Sequence, residues 1–532
     1  MKVKALALAV AAAATLPHSA FAISPTTPGI TTIYLAGATA SDRATAQWIW
    51  NGVCASGKAT LNFTFGANPP NQWGIACTVD ATSAATDLPP GDYLFLKHGI
   101  GGSGSGTVSV RDSLPVTFIQ PTSCTGADPT YNCTSSTGLS HAADMGISDL
   151  NPGAFNGPNT PEGFSAFLPR GPLSNTDPNF RAFPVMGVIF GIPVTTGLRN
   201  ALQNLQVVKG YLTADCDDSA ANRDLTRCRP SLQRDVLKAL FTGQVTDWSR
   251  LMIEGTSLTA SGATNRKGAA LTNTLVKICR RVNGSGTQAS LGMFLETGSQ
   301  FWGSPDVAPP FRTGNNLDVF ENSGSSDLRN CLGNWENGTT SSLTSKLGVS
   351  TAHNTLLQKE WAIGVLSLDS SEPAADNDNW RFIKIDGVWP SGWNVFSNKY
   401  PFWGTTTFNC RPDNAWYNTF CKSAAGYVGV GTTIGAINTA ISSTQPPYVA
   451  LSSVPNGALT ALPNSCTNTF DPANPVIGWT HGQGTSIANR TVDARRMPIP
   501  AWDALNTTCT SKVPAAGDGN GTTTTMTYPD PR

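Results

Sequence analysis

The segment 275–295, LVKICRRVNGSGTQASLGMFL, contains several residues that are suited to binding an anion. Its first half has the β-branched residues of a strand, and its second half has the apolar spacing of a helix. A glycine-bearing loop between them lets backbone N–H groups converge where the helix N-terminus adds about half a positive charge. Ser285 and Thr287 add hydroxyl donors, and Arg281 adds a planar guanidinium that suits a tetrahedral oxyanion. The segment predicts an anion site, although Gly-Ser-Gly after a strand is also a common turn.

A second helix start lies early in the chain. Thr32–Ala36 predicts a short strand, and a helix follows the stretch that ends at Asp42. The Thr39 hydroxyl and the Ala40 N–H would face an anion placed at that helix start. Thr39 with Asp42 three residues later also fits a capping box, and the residues alone leave both interpretations open.

Two further stretches could contribute to the same site. Gly99–Gly104 formally matches G-x-G-x-x-G, but no clear helix and no acidic partner about 20 residues later complete a dinucleotide site. Gly102 and Ser103 could instead form a backbone nest for an anion, or a mobile turn. Asp149 follows a short apolar strand and precedes an Asn-Pro pair, where it could face a ligand or cap a turn.

The composition argues against partners that require a strong electrostatic field. Lys+Arg number 35 and Asp+Glu number 35 among 532 residues, and the charged fraction is 13%. Such a surface offers no attraction for nucleic acid or an anionic membrane. Its polarity comes from Ser, Thr, Asn and Gly, which is typical of a secreted, loop-rich protein.

Residues 1–22 have the pattern of a secretory signal peptide. Lys2 and Lys4 precede the apolar run Ala5–Leu16, and Ala20–Ala22 offers a small-residue cleavage site. There is no cysteine at the cleavage junction, so a lipid anchor is not expected. No later apolar run is long enough to span a bilayer. The sequence therefore predicts a periplasmic or extracellular protein without membrane insertion.

Twelve cysteines fit an oxidising compartment. Sequence does not fix their connectivity, and pairing of nearest neighbours is the simplest prediction. The pairs are Cys54–Cys77, Cys124–Cys133, Cys216–Cys228, Cys279–Cys331, Cys410–Cys421 and Cys466–Cys509. No C-x-x-C pair occurs, so zinc and thioredoxin-type sites lack support.

The remaining segments are assigned from apolar patterning and turn residues. Strands are predicted over Phe183–Val194, 360–366 and 402–408, a helix over Gln233–Phe241, a surface loop over 51–92 and a polar connection over 299–350.

Four motifs, in the same order along the chain, resemble those of the periplasmic phosphate-binding protein that serves the ABC-type phosphate importer. They are Ala36-Gly37-Ala38-Thr39 with Trp48, Gly99-Ile100-Gly101-Gly102-Ser103-Gly104, Asp144-Met145-Gly146-Ile147-Ser148-Asp149, and Arg280-Arg281-Val282-Asn283-Gly284-Ser285-Gly286-Thr287. Each motif is common by itself, and the shared order is more specific. The resemblance spans most of residues 31–408, broken by insertions, and fades beyond.

The resemblance implies an α/β, two-lobed Venus-flytrap fold of type 2 with two crossover strands and long disulfide-bearing loop insertions. The expected lobe I comprises residues 23–184 and 400–513, and lobe II comprises 185–399. The Thr/Gly-rich segment 514–532 is predicted to be a disordered tail.

The implied function is binding of one oxyanion, inorganic phosphate, between the lobes without chemistry. The positions that the resemblance assigns to the ligand are Thr39, Ala40, Gly102, Ser103, Asp149, Arg281, Ser285, Gly286 and Thr287. A carboxylate at Asp149 would accept a hydrogen bond from a protonated phosphate oxygen and would exclude sulfate, which has no proton to donate. Two departures change the electrostatics of the site: Asn283, in place of the family's Asp beside the key arginine, removes a negative charge that would hold Arg281, whereas Asp42 adds a carboxylate near a helix start.

We expect a monomer with no metal and no cofactor, which passes its ligand to an ABC permease. Two alternatives remain open at the level of sequence. One is a surface or extracellular protein that uses the same scaffold without phosphate binding. The other is a phosphate-ester hydrolase, which the scattered histidines and the lack of G-x-S-x-G or His-x-x-x-His disfavour.

Overall fold

The computed structural model of the chain describes residues 23–428 with gaps, and a few residues beyond them. The gaps are 56–60, 66–71, 84–85, 128–129, 134–137, 151, 153–154, 156–158, 160, 162–178, 220, 261–270, 272–273, 296–317, 339–359, 371, 374–378, 392–393 and 396–398. After 428, the described residues are 459–460, 510–514 and 521–525. The signal-peptide segment 1–22 and the predicted pair Cys466–Cys509 lie outside the described residues.

The described residues form 22 strands and seven α-helices. The strands are β1 (Thr31–Gly37), β2 (Leu61–Phe65), β3 (Gln72–Val79), β4 (Gly91–His98), β5 (Val116–Phe118), β6 (Cys124–Ala127), β7 (Thr130–Cys133), β8 (Leu139–His141), β9 (Met145–Ser148), β10 (Arg181–Thr195), β11 (Ser231–Leu232), β12 (Met252–Ile253), β13 (Thr256–Ser257), β14 (Lys277–Arg281), β15 (Asp318–Asn322), β16 (Ala362–Gly364), β17 (Leu366–Ser367), β18 (Trp380–Ile385), β19 (Trp403–Cys410), β20 (Leu459–Thr460), β21 (Thr510–Pro514) and β22 (Gly521–Thr525). The helices are α1 (Asp42–Trp48), α2 (Gly102–Asp112), α3 (Thr196–Val208), α4 (Arg234–Phe241), α5 (Gly286–Phe294), α6 (Ser325–Asn337) and α7 (Ser423–Val428).

The main sheet has two halves, and the first is built on parallel strands β1, β4 and β9. They lie in the order β4-β1-β9. β19, which comes late in the chain, lies antiparallel beside β9, and β10 pairs with β19. If β1, β4, β9 and β10 are called the first to fourth strands of this half, their order across the sheet is second, first, third and fourth. The antiparallel strand β19 is inserted between the third and the fourth.

The second half of the sheet repeats that order with different strands. β15, β14 and β16 are parallel and lie in the order β15-β14-β16. The end of β10 lies antiparallel beside β16, and β18 pairs with β10. The order is again second, first, third, an inserted antiparallel strand, and fourth.

Strand β10 belongs to both halves. Its residues Arg181–Ile189 pair with β19, and Ile192–Thr195 pair with β18. The chain crosses into the second half through β10 and returns before β19. Two α/β halves of the same strand order, linked by these crossovers, form the two-lobed Venus-flytrap fold that the sequence predicts.

Apolar packing follows the buried strands. Ile189, Ile192 and Val194 of β10 are fully buried in the largest core, as expected for a strand covered on both faces. The predicted helix Gln233–Phe241 is confirmed as α4, which begins one residue later. The lobe boundaries at 184/185 and 399/400 stay predictions; the first falls within β10 and the second just before β19.

Five of the six predicted disulfides are present. They are Cys54–Cys77, Cys124–Cys133, Cys216–Cys228, Cys279–Cys331 and Cys410–Cys421. Cys279–Cys331 ties β14 to α6, two elements that end or begin at the candidate site.

Two segments predicted as irregular form regular structure. Residues 51–92, predicted as a surface loop, contain β3, which pairs with β4 and buries the alternating Trp73, Ile75 and Cys77. The segment 299–350, predicted as a polar connection, contains β15 and α6. The apolar positions of α6 recur at helical spacing within an otherwise polar sequence, and tertiary burial stabilises the helix. The hairpin β21–β22 overlaps the segment predicted as a disordered tail.

Candidate anion-binding site

Loops at the carboxyl ends of five parallel strands bring the candidate residues together. Thr39 follows β1, Ser103 follows β4 and Asp149 follows β9, all in the first half. Arg281 ends β14, and Ser325 follows β15, in the second half. Ligand sites of open α/β sheets lie at these strand ends, so the topology alone favours a site here.

The Arg281 guanidinium occupies the centre of the group. Its Nη1 donates to Ser325 Oγ at 3.2 Å, and its Nη2 donates to Thr39 Oγ1 at 3.1 Å and to the Ser323 carbonyl at 3.0 Å. Only 1% of Arg281 is exposed. A buried guanidinium with hydroxyl partners from both halves of the fold is placed to bind an anion between them.

The Thr39 side chain does not cap a helix. Helix α1 begins at Asp42 with Ser41 as its N-cap residue, and no side chain makes a capping hydrogen bond there. Thr39 Oγ1 instead lies 3.2 Å from Ser325 Oγ and accepts from Arg281. The capping-box alternative is therefore wrong, because the Thr39 hydroxyl is hydrogen-bonded to side chains of the second half of the fold. Ala40, directly after Thr39, is fully buried.

The glycine run after β4 forms the start of α2, with Gly101 in a left-handed conformation at φ 79°. The Gly102 N–H donates to the Gly99 carbonyl at 3.0 Å and is engaged in that turn. Ser103 Oγ lies 3.3 Å from Asp149 Oδ2 and accepts from the Asp149 N–H at 3.0 Å. Gly102 packs against the backbone of Ser285, and Ser103 hydrogen-bonds to Asp149.

The loop after β14 approaches the first half closely. The Gly104 N–H donates to the Gly284 carbonyl at 2.7 Å, which links α2 to the loop. A Cβ on Gly286 would lie 2.3 Å from Ser103 Oγ and 3.0 Å from Asp149 Cβ. Glycine is required at 286 because any side chain there would push the two halves apart.

The start of α5 uses one side chain as a cap and leaves another without a partner. Ser285 Oγ accepts from the Gln288 N–H at 3.3 Å, so its own hydroxyl proton can be donated elsewhere. Thr287 is 1% exposed, and its Oγ1 has no partner among the described residues. Both hydroxyls are thus available as donors at a helix N-terminus.

Asp149 combines deep burial with an unpartnered oxygen. It is 1% exposed, and its Oδ1 has no hydrogen-bond partner among the described residues. Burial raises the pKa of Asp149 to about 7, although the Arg281 charge opposes this. Asp369, a second buried carboxyl, adds to the rise. A carboxyl that titrates near neutrality can accept from a protonated oxygen or donate to a bare one.

Arg281 keeps its charge in spite of burial. Burial lowers the pKa of Arg281 to about 10, and the carboxylates of Asp327 and Asp149 raise it again. Asn283, which replaces an acidic residue of the resembled family, accepts from Arg280 at 3.0 Å. Asp327 lies at the start of α6, four residues after Ser323, and it supplies the negative charge near Arg281 instead.

Asp42 is balanced by a lysine. Asp42 Oδ1 lies 3.2 Å from Lys97 Nζ, which also donates to the Gly37 and Ala38 carbonyls at 2.9 and 3.1 Å. Burial raises the pKa of Asp42, while Lys97 lowers it. The carboxylate near the start of α1 therefore forms an ion pair, which reduces its repulsion of an anion.

Sequence reasoning missed Ser325, Asp327 and Lys97. Ser325 and Asp327 lie in the segment that is predicted to be a polar connection. The repeat Leu328, Cys331, Leu332 and Trp335, preceded by Gly324, was the available signal for a helix start. Lys97 gave no signal, because a lysine that ends a strand is ordinarily solvated.

Comparisons with known proteins give only distant likenesses. No protein-family model matches the chain, and no curated protein matches its sequence. A phosphate ABC transporter substrate-binding protein with bound phosphate from Clostridium perfringens is 12% identical at a TM-score of 0.36, with 77% of this chain and 97% of that chain covered. An ABC-type phosphate transport receptor from Vibrio cholerae is 12% identical at a TM-score of 0.30, with 72% and 88% covered. A phosphate-binding protein from Stenotrophomonas maltophilia is 12% identical at a TM-score of 0.31, with 77% and 83% covered. The fold assignment rests on the repeated strand order rather than on these likenesses.

Proposed function

We propose that this protein binds one tetrahedral oxyanion, inorganic phosphate, between its two lobes. The observation that carries the proposal is a set of three buried groups of opposite character that have no hydrogen-bond partner among the described residues. Asp149 Oδ1 needs a donor, whereas Arg281 Nε and Thr287 Oγ1 need an acceptor. Hydrogenphosphate offers both in one small solute, because it has bare oxygens and one hydroxyl.

Sulfate suits the same group of binding residues poorly. It has only acceptor oxygens, so an ionised Asp149 would face negative charge without a proton between them. Burying such a pair costs several kcal/mol because both groups lose hydration. The proposed specificity is therefore phosphate over sulfate.

The proposed activity is binding without chemistry. No group of three metal-ligating side chains occurs among the described residues. His98 is engaged by the Thr117 and Ile100 carbonyls at 2.7 and 3.0 Å, and burial lowers its pKa to about 4. An imidazole with so low a pKa is neutral and donates its single N–H to one of these carbonyls, and it is a poor general base for ester hydrolysis.

Export and delivery complete the proposal. The N-terminal pattern supports a periplasmic or extracellular location, and the part of the chain that the structure describes has no helix suited to crossing a bilayer. Delivery of the ligand to an ABC permease is the corresponding partner proposal. The charge-poor, disulfide-braced surface also fits the alternative of an extracellular protein that uses the scaffold without the ligand.

Thermal unfolding tests the proposal in a simple form. A ligand that binds only the folded state stabilises it, by about 2.7 kcal/mol at one hundred times the dissociation constant. Phosphate should therefore raise the unfolding temperature of the wild-type chain, and Arg281→Ala should show no such rise. Equal stabilisation of both proteins would mean that phosphate acts elsewhere, and no rise in either would favour the scaffold alternative.

A further inference from the structure

We propose that Ser325 is an additional anion-binding residue and the second-lobe counterpart of Ser103. This inference rests on the proposed function, because it assigns one more contact to the same ligand. None of the sequence motifs contains Ser325. It lies in the first turn of α6, in a segment whose composition predicted only a polar connection.

The repeated strand order supplies the first argument. In each half, the second parallel strand leads directly into a helix: β4 leads into α2, and β15 leads into α6. Ser103 is the second residue of α2, and Ser325 is the first residue of α6. The two serines thus both lie in the first turn of the helix that follows the second parallel strand, one in each half of the fold.

Contacts supply the second argument. Ser325 Oγ lies 3.2 Å from Arg281 Nη1 and 3.2 Å from Thr39 Oγ1, and 8% of the residue is exposed. Arg281 donates to both hydroxyls, so one hydroxyl proton of the Ser325–Thr39 pair bridges the two oxygens and the other is left to donate to a ligand. An anion bound by Arg281 and Thr39 would lie within reach of that proton.

The start of α6 is fixed in place. The Asp327 carboxylate accepts from the Gly324 N–H at 3.0 Å and from Ser323 Oγ at 2.6 Å. Cys331, one turn further along, is bonded to Cys279 of β14. A hydroxyl at the first position of a thirteen-residue helix anchored in this way is preorganised as a donor.

Independent evidence for a ligand comes from the neighbouring unpartnered atoms. Arg281 Nε, Thr287 Oγ1 and Asp149 Oδ1 are buried without partners among the described residues. Arg281 and Thr287 flank the loop between β14 and α5, Asp149 lies in the loop after β9, and Arg281 also contacts Ser325. With Ser325 included, the helices α2, α5 and α6 each contribute a hydroxyl at their N-terminal turn to one tetrahedral anion.

The test is titration calorimetry with inorganic phosphate on the full mature chain and three variants. Ser325→Ala should weaken binding roughly 10- to 100-fold, the range expected for one hydrogen bond to a charged group. Ser325→Thr keeps the hydroxyl and should restore binding to within a few-fold of wild type. Ser326→Ala is the matched control: its hydroxyl accepts from Arg329 at 2.8 Å, and its loss should leave affinity unchanged.

The outcomes separate the inference from the proposed function. Wild-type affinity in Ser325→Ala, with phosphate still bound, would overturn the inference alone. No heat from the wild type would overturn both. A crystal structure with phosphate distinguishes direct contact from an effect through Arg281, since Ser325 Oγ should lie within about 3 Å of a phosphate oxygen. A hydroxyl turned away from the anion would also overturn the inference.

Discussion

Arg281 of one lobe donates to the Thr39 hydroxyl of the other at 3.1 Å. The two residues are separated by 242 positions and meet because each lies at the carboxyl end of the first parallel strand of its half. A ligand held by both would favour the closed arrangement, since each lobe alone supplies only part of its contacts.

Asp149→Asn should relax the selectivity for phosphate over sulfate. The amide cannot accept from a phosphate hydroxyl as strongly as a carboxylate, and it adds an N–H that can donate to sulfate. We expect phosphate affinity to fall roughly tenfold or more and sulfate binding to become measurable. Competition titrations would show this, and Asp92→Asn, which removes a carboxylate that accepts from Thr78 of β3, serves as the control. Unchanged exclusion of sulfate would contradict the role of Asp149.

Arg281→Lys should lose most of the affinity although it keeps the charge. The guanidinium spreads its donors over Thr39, Ser323 and Ser325, whereas an ammonium is a single compact donor group. We expect at least a tenfold loss in calorimetry. Arg227→Lys is the control, since Arg227 pairs with Asp215 on the exposed surface. Wild-type binding in Arg281→Lys would show that charge alone suffices.

Gly286→Ala should impair closure of the lobes. The added methyl would lie within 3.0 Å of Asp149 Cβ and 2.3 Å from Ser103 Oγ, both on the opposite lobe. Phosphate affinity should fall sharply while the unfolding temperature without phosphate stays near that of wild type, because alanine suits the helix better than glycine. Small-angle scattering should show that phosphate compacts the wild type but not the variant. Gly91→Ala, whose methyl meets only Tyr93 at 3.6 Å, should behave as wild type.

Stability should fall between about pH 4 and pH 7 in the absence of phosphate. Burial raises the pKa of Asp149 to about 7, whereas an aspartate in the unfolded chain titrates near 4. The folded protein therefore binds more protons in this window, and the free energy of unfolding decreases as the pH rises through it. The full shift corresponds to about 4 kcal/mol.

Unfolding of wild type and Asp149→Asn by guanidinium chloride at several pH values checks how the free energy of unfolding depends on pH. The variant lacks the titrating group, so its decline over the same window should be shallower. Asp369, whose pKa burial raises to about 6, also titrates in both proteins, so the variant keeps part of the decline. Parallel curves for the two proteins would place the titration elsewhere.

Local patterns predict much of the fold and part of the site. The strand into Arg281, the helix after Thr287 and the buried strand over 183–194 have strong apolar or glycine signals, and the structure contains all three. Nearest-neighbour pairing predicts the five described disulfides because most of them close short loops.

Contacts between distant segments could not be predicted in the same way. Ser325 and Asp327 lie in a polar segment, and only the position of β15 beside β14 brings them to Arg281. The pairing of Asp42 with Lys97 likewise depends on β1 lying beside β4. Such relations follow from sheet topology, which a single sequence leaves unspecified.

Calorimetric titration of the mature protein with phosphate, and separately with sulfate, tests the central claim most directly. At a pH above 7, where Asp149 is ionised, the arrangement of Arg281, Thr39 and Asp149 predicts a saturable one-site heat with phosphate and none with sulfate at the same concentration. No heat with either anion at millimolar concentrations, or equal binding of both, would contradict it.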